Sequence, residues 1–143
     1  MAFKRAKSIA DLEELSVKSR LGIWKSSFES ILQHPLLGVG IGNYPVVLNE
    51  DISAAKKGAS AHNLYLDIAS EMGLLGLAAF LLIILSIFKK IRKEIISNKL
   101  YAICFLFFFI WILIYNLFDV VLLNDKVLLS FMITAGLLYK DEQ

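Results

Sequence analysis

The sequence predicts an all-α membrane protein, with about three transmembrane helices preceded by an amphipathic helix and an irregular outer loop. Three observations carry that expectation. Hydrophobic residues fill 57% of the 143 positions and charged residues only 20%, against about 45–50% and about 25% in soluble domains. The apolar residues collect in blocks instead of spreading evenly. A short, strongly basic segment separates the first two blocks. The same numbers exclude a disordered chain. A formal charge of +2 leaves no global field to attract nucleic acid, so no nucleic-acid partner is expected. The one cysteine, Cys104, cannot close an internal disulfide, and its place in an apolar run predicts a buried, inert thiol.

The chain divides into an outer segment, residues 1–63, and a transmembrane region, 64–140. The opening stretch FKRAKSIADLEELS is charged and weakly amphipathic. Leu21, Trp24, Phe28, Ile31 and Leu32 then recur at helical spacing, with Lys25, Glu29 and Gln33 between them. This predicts an amphipathic helix over 17–33. Ser16 or Ser19 can cap its start, and His34-Pro35 stops it. The run LLGVGIGNYP follows. Gly38, Gly40 and Gly42 alternate after a helix instead of after a strand, so a tight turn with close backbone packing is expected, not a nucleotide loop. NEDISAAKKGAS, residues 49–60, reads as a polar, mobile loop.

Ser60 or Asn63 can cap the first membrane helix, predicted over 64–88. Residues 73–88 carry no charge, and Asp67 and Glu71 are the only charges in 64–72. The second block, 100–118, is also uncharged. Both meet the roughly 20 apolar residues a bilayer demands. The third, 126–139, is about 14 residues, or roughly 21 Å, and spans only with thinning and with Lys126 and Lys140 snorkelling. Between the first two blocks lie Lys89, Lys90, Arg92, Lys93 and Lys99 against Glu94 alone. Such a loop belongs in the cytoplasm, which places residues 1–63 outside; the inverted topology is the alternative. Nothing before residue 64 is apolar enough for a signal peptide or an earlier span. The chain is therefore expected to be the C-terminal piece of a longer membrane protein whose N-terminal helices are its partners.

The candidate chemistry collects at the outer rim. His62 falls at the start of a helix, where the dipole favours anions and where a neutral imidazole can accept a proton. Arg20 offers a guanidinium fork suited to phosphate. Asp67 and Glu71, four residues apart, share a helix face and suit partners such as a helix N-terminus or a cation. Asn116 and Asp119 read as interface residues at the outer end of the second helix. His34 reads as structural, and two histidines without a nearby carboxylate cluster make no zinc site. The aromatic run 105–111 reads as packing or lipid-facing surface.

Arg20 with Trp24, then HPLLGVGIGNYP, then HNLYLDIASEMGLLGL entering a membrane helix together resemble the C-terminal part of the bacterial O-antigen ligase and polymerase-like family. The specific motifs cover about residues 17–90; beyond them the likeness is hydropathy and the Asn124-Asp125 turn. The resemblance implies a multi-helix glycosyltransferase of the inner membrane. Such an enzyme moves a glycan from an undecaprenyl diphosphate carrier to an acceptor hydroxyl on a glycan or lipid. It implies His62 as general base and Arg20 as the group that holds the diphosphate. Asn63 and Glu71 match the same motif and shape the substrate site. No cofactor and no metal are implied. The family has about ten or more membrane helices and upstream arginines, so only part of an active site is expected here. The rival reading is a non-catalytic small membrane protein or degenerate fragment that serves as a binding partner.

Overall fold

The computed structural model describes residues 2–48, 60–97 and 99–139, and the side chains of the first helix from Val17 onward. The described residues form five helices: α1 (Ala2–Gln33), α2 (Tyr44–Val47), α3 (Leu64–Ile96), α4 (Leu100–Tyr115) and α5 (Asp125–Tyr139). The all-α expectation holds, with no strand among the described residues. The polar loop expected over 49–60 falls, except for Ser60, outside them, as do Lys140 and the acidic tail.

Helix α1 ends at Gln33 as Pro35 requires, with His34 N–H closing onto Ser30 O at 2.8 Å. Its start differs from the expectation. The helix runs unbroken from Ala2, so Ser16 and Ser19 are internal and cap nothing. The charged, weakly amphipathic stretch before residue 17 continues the helix, and the chain has no proline there to stop it.

Helix α3 extends through the basic segment to Ile96. The loop expected there is mostly helix, for an electrostatic reason. Glu94 Oε1 lies 3.2 Å from Lys90 Nζ and Oε2 lies 2.9 Å from Lys99 Nζ. The Tyr101 hydroxyl donates to Oε2 at 3.1 Å. One buried carboxylate thus clamps the α3 end to the α4 start, and α4 begins at Leu100. Below it, Phe105, Phe109, Ile91, Ala102 and Leu138 form the core of an α3–α4–α5 bundle, with Phe131 against both phenylalanines.

Three spans were expected. At 33 residues, α3 is long and apolar enough to cross a membrane, with only 6% of its most apolar stretch buried. An apolar helix this exposed is unlike the core helix of a soluble domain. Helix α4 is shorter than the expected 100–118: its 16 residues reach about 24 Å, below a hydrocarbon core of about 30 Å. Asn116 ends it. Its side chain donates to Ile112 O at 2.8 Å and accepts from Leu122 N–H at 3.0 Å, turning the chain. Helix α5 begins at Asp125, one residue before the expected start, and is 15 residues long. Cys104 is exposed, against the expectation of a buried thiol. Ala102 and Phe105 take the inward face of α4 and turn Cys104 away.

A break divides α3. Gly73 has φ 69° and ψ −173°. An unbroken helix would close Leu74 N–H onto Ser70 O and Leu75 N–H onto Glu71 O. The segment after α1 takes all four groups instead. Leu74 N–H donates to Pro35 O at 2.8 Å and Leu75 N–H to Leu36 O at 3.4 Å. Val39 N–H donates to Ser70 O at 2.9 Å and Gly40 N–H to Glu71 O at 2.8 Å. The glycine turn is therefore a backbone graft into a helix, and the expected close packing is its cause. A Cβ on Gly73 would lie 2.2 Å from Leu36 O, and one on Gly38 would lie 2.5 Å from Ser70 O.

Gly73→Ala and Gly38→Ala should each destabilise the fold by about 2–4 kcal/mol, because each adds a clash to a positive φ. Gly22, inside α1 with open space around its Cβ position, provides the opposite case. Gly22→Ala should stabilise by about 0.5–1 kcal/mol. Thermal unfolding of the three variants in detergent measures both signs.

Candidate functional site

The N-terminal end of α3 is built from the residue types that the sequence singled out. Asn63 is the N-cap. Its Oδ1 accepts from Tyr65 N–H at 3.0 Å and Leu66 N–H at 3.1 Å, satisfying two of the free amides of a helix start. Its Nδ2 donates to Leu117 O at 3.1 Å. Leu64 N–H donates to Asn116 O at 2.9 Å, and the Tyr65 hydroxyl to Leu113 O at 3.0 Å. The start of α3 thus supplies donors to the carbonyls at the end of α4. Between the expected caps, Asn63 holds the helix, while Ser60 Oγ accepts from His62 N–H at 3.2 Å.

His62 has φ 50°, the one non-glycine residue in the left-handed region among the described residues. That conformation costs about 1–2 kcal/mol and persists only where neighbours enforce it. Here the enforcement is visible. Ala61, fully buried, is held at both ends: its N–H donates to Asp67 Oδ1 at 2.6 Å, and its carbonyl accepts from Trp24 Nε1–H at 2.8 Å. Asn63 is fixed on the other side by the cap. The peptides flanking His62 therefore cannot rotate freely, and the imidazole projects outward, with its side chain 47% exposed. Its Nδ1 faces Asp119 Oδ1 at 3.5 Å, longer than a formed hydrogen bond. Nδ1 is thus the ring nitrogen on the Asp119 side, and Nε2 the one away from it.

Arg20 sits inside α1, within the stretch predicted as helix, and is exposed with no ion pair to another described residue. It is four residues before Trp24, hence one turn along the same helix face. The Trp24–Ala61 bond brings that face of α1 up to the segment that carries His62. Glu71 is committed to structure: its Oε1 accepts from Tyr44 N–H at 3.0 Å, at the start of α2. Asp67 and Glu71 also line one cleft of about 330 Å³, whose other walls include Ile41, Ile68, Phe80 and Leu123. This mostly apolar cleft opens beside the α3 start. His34 is exposed and lines a small polar pocket with Ser30 and Gln33, away from His62.

Tyr44 anchors the second, outer core with Val47 and Ala61. Ser27 Oγ donates its single proton to Ile23 O at 3.0 Å, so the Tyr44 hydroxyl is the donor in their 2.5 Å contact. Burial pushes the Tyr44 phenol up to about 12, with the Asp67 and Glu71 charges adding to the shift against the lowering effect of Ser27.

The sequence grouped His62 with Asn63 and gave Asp67 a structural role towards a helix N-terminus, but assigned no positioning role to Trp24 or Tyr65. Trp24 read as one apolar position in a stripe. An indole carries a donor that must find a partner when buried, and that was the available signal. Asp67 is five residues after His62, a spacing with no local motif, so only the fold shows that it binds back to Ala61.

Trp24→Phe keeps the apolar contact and removes one hydrogen bond. It should cost about 0.5–1.5 kcal/mol and loosen the His62 backbone. Hydrogen exchange over the start of α3 should read that loosening. The Tyr44 shift has a sign that can be checked. The folded phenol holds its proton more tightly than the unfolded one, so its contribution is intact below about pH 10 and is lost as pH rises towards about 12. Tyr44→Phe should remove that part of the alkaline unfolding profile.

Residues 1–81 match the family model described as O-antigen ligase. No curated protein and no solved structure matches the chain.

Proposed function

The chain belongs to the O-antigen ligase family, and from that premise we propose that it forms part of a membrane glycosyltransferase of cell-surface polysaccharide assembly. The donor is a glycan on an undecaprenyl diphosphate carrier, and the acceptor is a hydroxyl of another glycan or lipid. The protein lies in the bacterial inner membrane with several passes, and residues 1–63 face outward. N-terminal membrane helices complete the site. The observation that carries the reading is the constrained backbone at His62, which holds an exposed imidazole at the mouth of a helix N-terminus.

The chemistry follows from that placement. The acceptor hydroxyl approaches Nε2 of His62, on the side of the ring away from Asp119. Its oxygen attacks the anomeric carbon while the proton passes to the imidazole. The bond from that carbon to the diphosphate oxygen breaks, and the sugar centre inverts. The leaving diphosphate carries growing negative charge at the headgroup level. Arg20 and the partial positive charge of the α3 start stabilise it there. Asp119 stabilises the imidazolium. Asn63 and Glu71 shape the substrate site through the cap and the α2 start. The apolar cleft beside Asp67 and Glu71 suits the isoprenoid stem next to the phosphates.

In membranes that carry the complete protein, His62→Ala should lower glycan transfer by about 10²–10⁴-fold. Undiminished transfer removes the general-base role. Arg20→Lys keeps the charge and loses the fork, so the donor KM should rise more than kcat falls. An unchanged KM with a reduced kcat would assign Arg20 to the transition state instead of to donor binding.

A further inference from the structure

The far end of α3, about 50 Å from His62 along the 33-residue helix, carries a second set of charges that the glycan chemistry does not use. Helical spacing sorts them into two groups. Lys90 and Glu94, one turn apart, face inward with 7% and 6% of their side chains exposed, and Lys99 completes their pairing. Lys89 and Arg92 lie on the opposite side and make no ion pair with a described residue. Beside them runs a groove of about 450 Å³ walled by Leu85, Phe88, Ile95 and Leu106, with Lys89 and Arg92 at its rim. A volume of that size is typical of ligand pockets, at about 300–1,000 Å³. A neighbouring recess continues it past Lys93 and Ser97. The one carboxylate of the segment, Glu94, is turned into the bundle, so cations alone rim the groove among the described residues.

We propose that this groove is a binding site for an anionic phospholipid, with its phosphate between Lys89 and Arg92 and an acyl chain along Leu85, Phe88 and Leu106. The two halves of the groove match the two halves of such a lipid. A neutral apolar helix would leave both cations facing carbon, and a soluble phosphate would leave the apolar walls uncovered. Basic pockets at the ends of membrane helices take anionic headgroups for this reason. The site rests on α3 lying in a bilayer, as proposed above, and not on the glycan transfer at the other end.

The test is native mass spectrometry of the full chain, released from micelles doped with equal phosphatidylglycerol and phosphatidylcholine of identical acyl chains. Retention should favour phosphatidylglycerol by at least about tenfold. Lys89→Gln with Arg92→Gln should abolish the preference, while Lys25→Gln, at the outer end, should leave it. Leu85→Trp fills the groove without touching a charge and should also lower phosphatidylglycerol retention. Equal retention of both lipids, or a preference that survives the Lys89 and Arg92 changes, overturns the site. Displacement by soluble glycerol phosphate overturns the acyl-chain half of it. Retention of neither lipid overturns the bilayer placement of α3 itself, an outcome that is distinct from failure of the His62 assay.

Discussion

The break at Gly73 is the constraint on which the packing of α1 and α2 against α3 depends. A helix that crosses a bilayer cannot leave amides and carbonyls unpaired, since each costs several kcal/mol in hydrocarbon. Here two donors and two acceptors of α3 are handed to residues 35–40. The exchange solves two problems together. It satisfies a broken helix, and it fixes the turn after α1 against that helix. Only glycine fits at 38 and 73, because the two backbones come closer than a side chain permits. With this joint in place, α1 cannot slide along α3, and Trp24 arrives within reach of Ala61.

From that joint the candidate site follows by successive fixing of backbone. Asp67, on the first turns of α3, reaches back to Ala61 N–H, and Trp24 takes the carbonyl of the same residue. Asn63 binds both its own helix and the end of α4. His62 is left as the exposed member of a rigid run, in a backbone conformation that it would not choose alone. Strain held by surrounding contacts is a common property of functional positions. The polar groups nearby are therefore of two kinds. Asp67, Asn63 and Glu71 spend their hydrogen bonds on the scaffold, whereas His62 and Arg20 are exposed.

The two ends of α3 are opposed in the same way. At the N-terminal end, carboxylates and amides hold the backbone in place around a histidine. At the basic end, one carboxylate gathers Lys90, Lys99 and Tyr101 into the bundle and leaves Lys89 and Arg92 beside an apolar groove. In both places a hydrogen-bonded acid, half-buried at Asp67 and buried at Glu94, organises its surroundings, and exposed groups lie next to it.

The sequence by itself determined the helical class, the stop of α1 at Pro35, the cap at Asn63 and the glycine turn, because each depends on a few neighbouring residues. Periodicity, capping chemistry and proline sterics act within about one turn. It also placed His62 at a helix start, which is a local fact. The tertiary structure decided what those elements bind. The break in α3 and the bond from Trp24 to Ala61 join residues distant in the chain, and the turn at Asn116 and the clamp at Glu94 form where one helix gives way to the next. Gly73 in an apolar run reads as a tolerated small residue until Leu36 is seen against it. Trp24 reads as one more apolar position until its N–H meets a carbonyl 37 residues away. Such pairings carry no spacing rule, since the loop between them sets no register, and only the folded backbone brings donor and acceptor together.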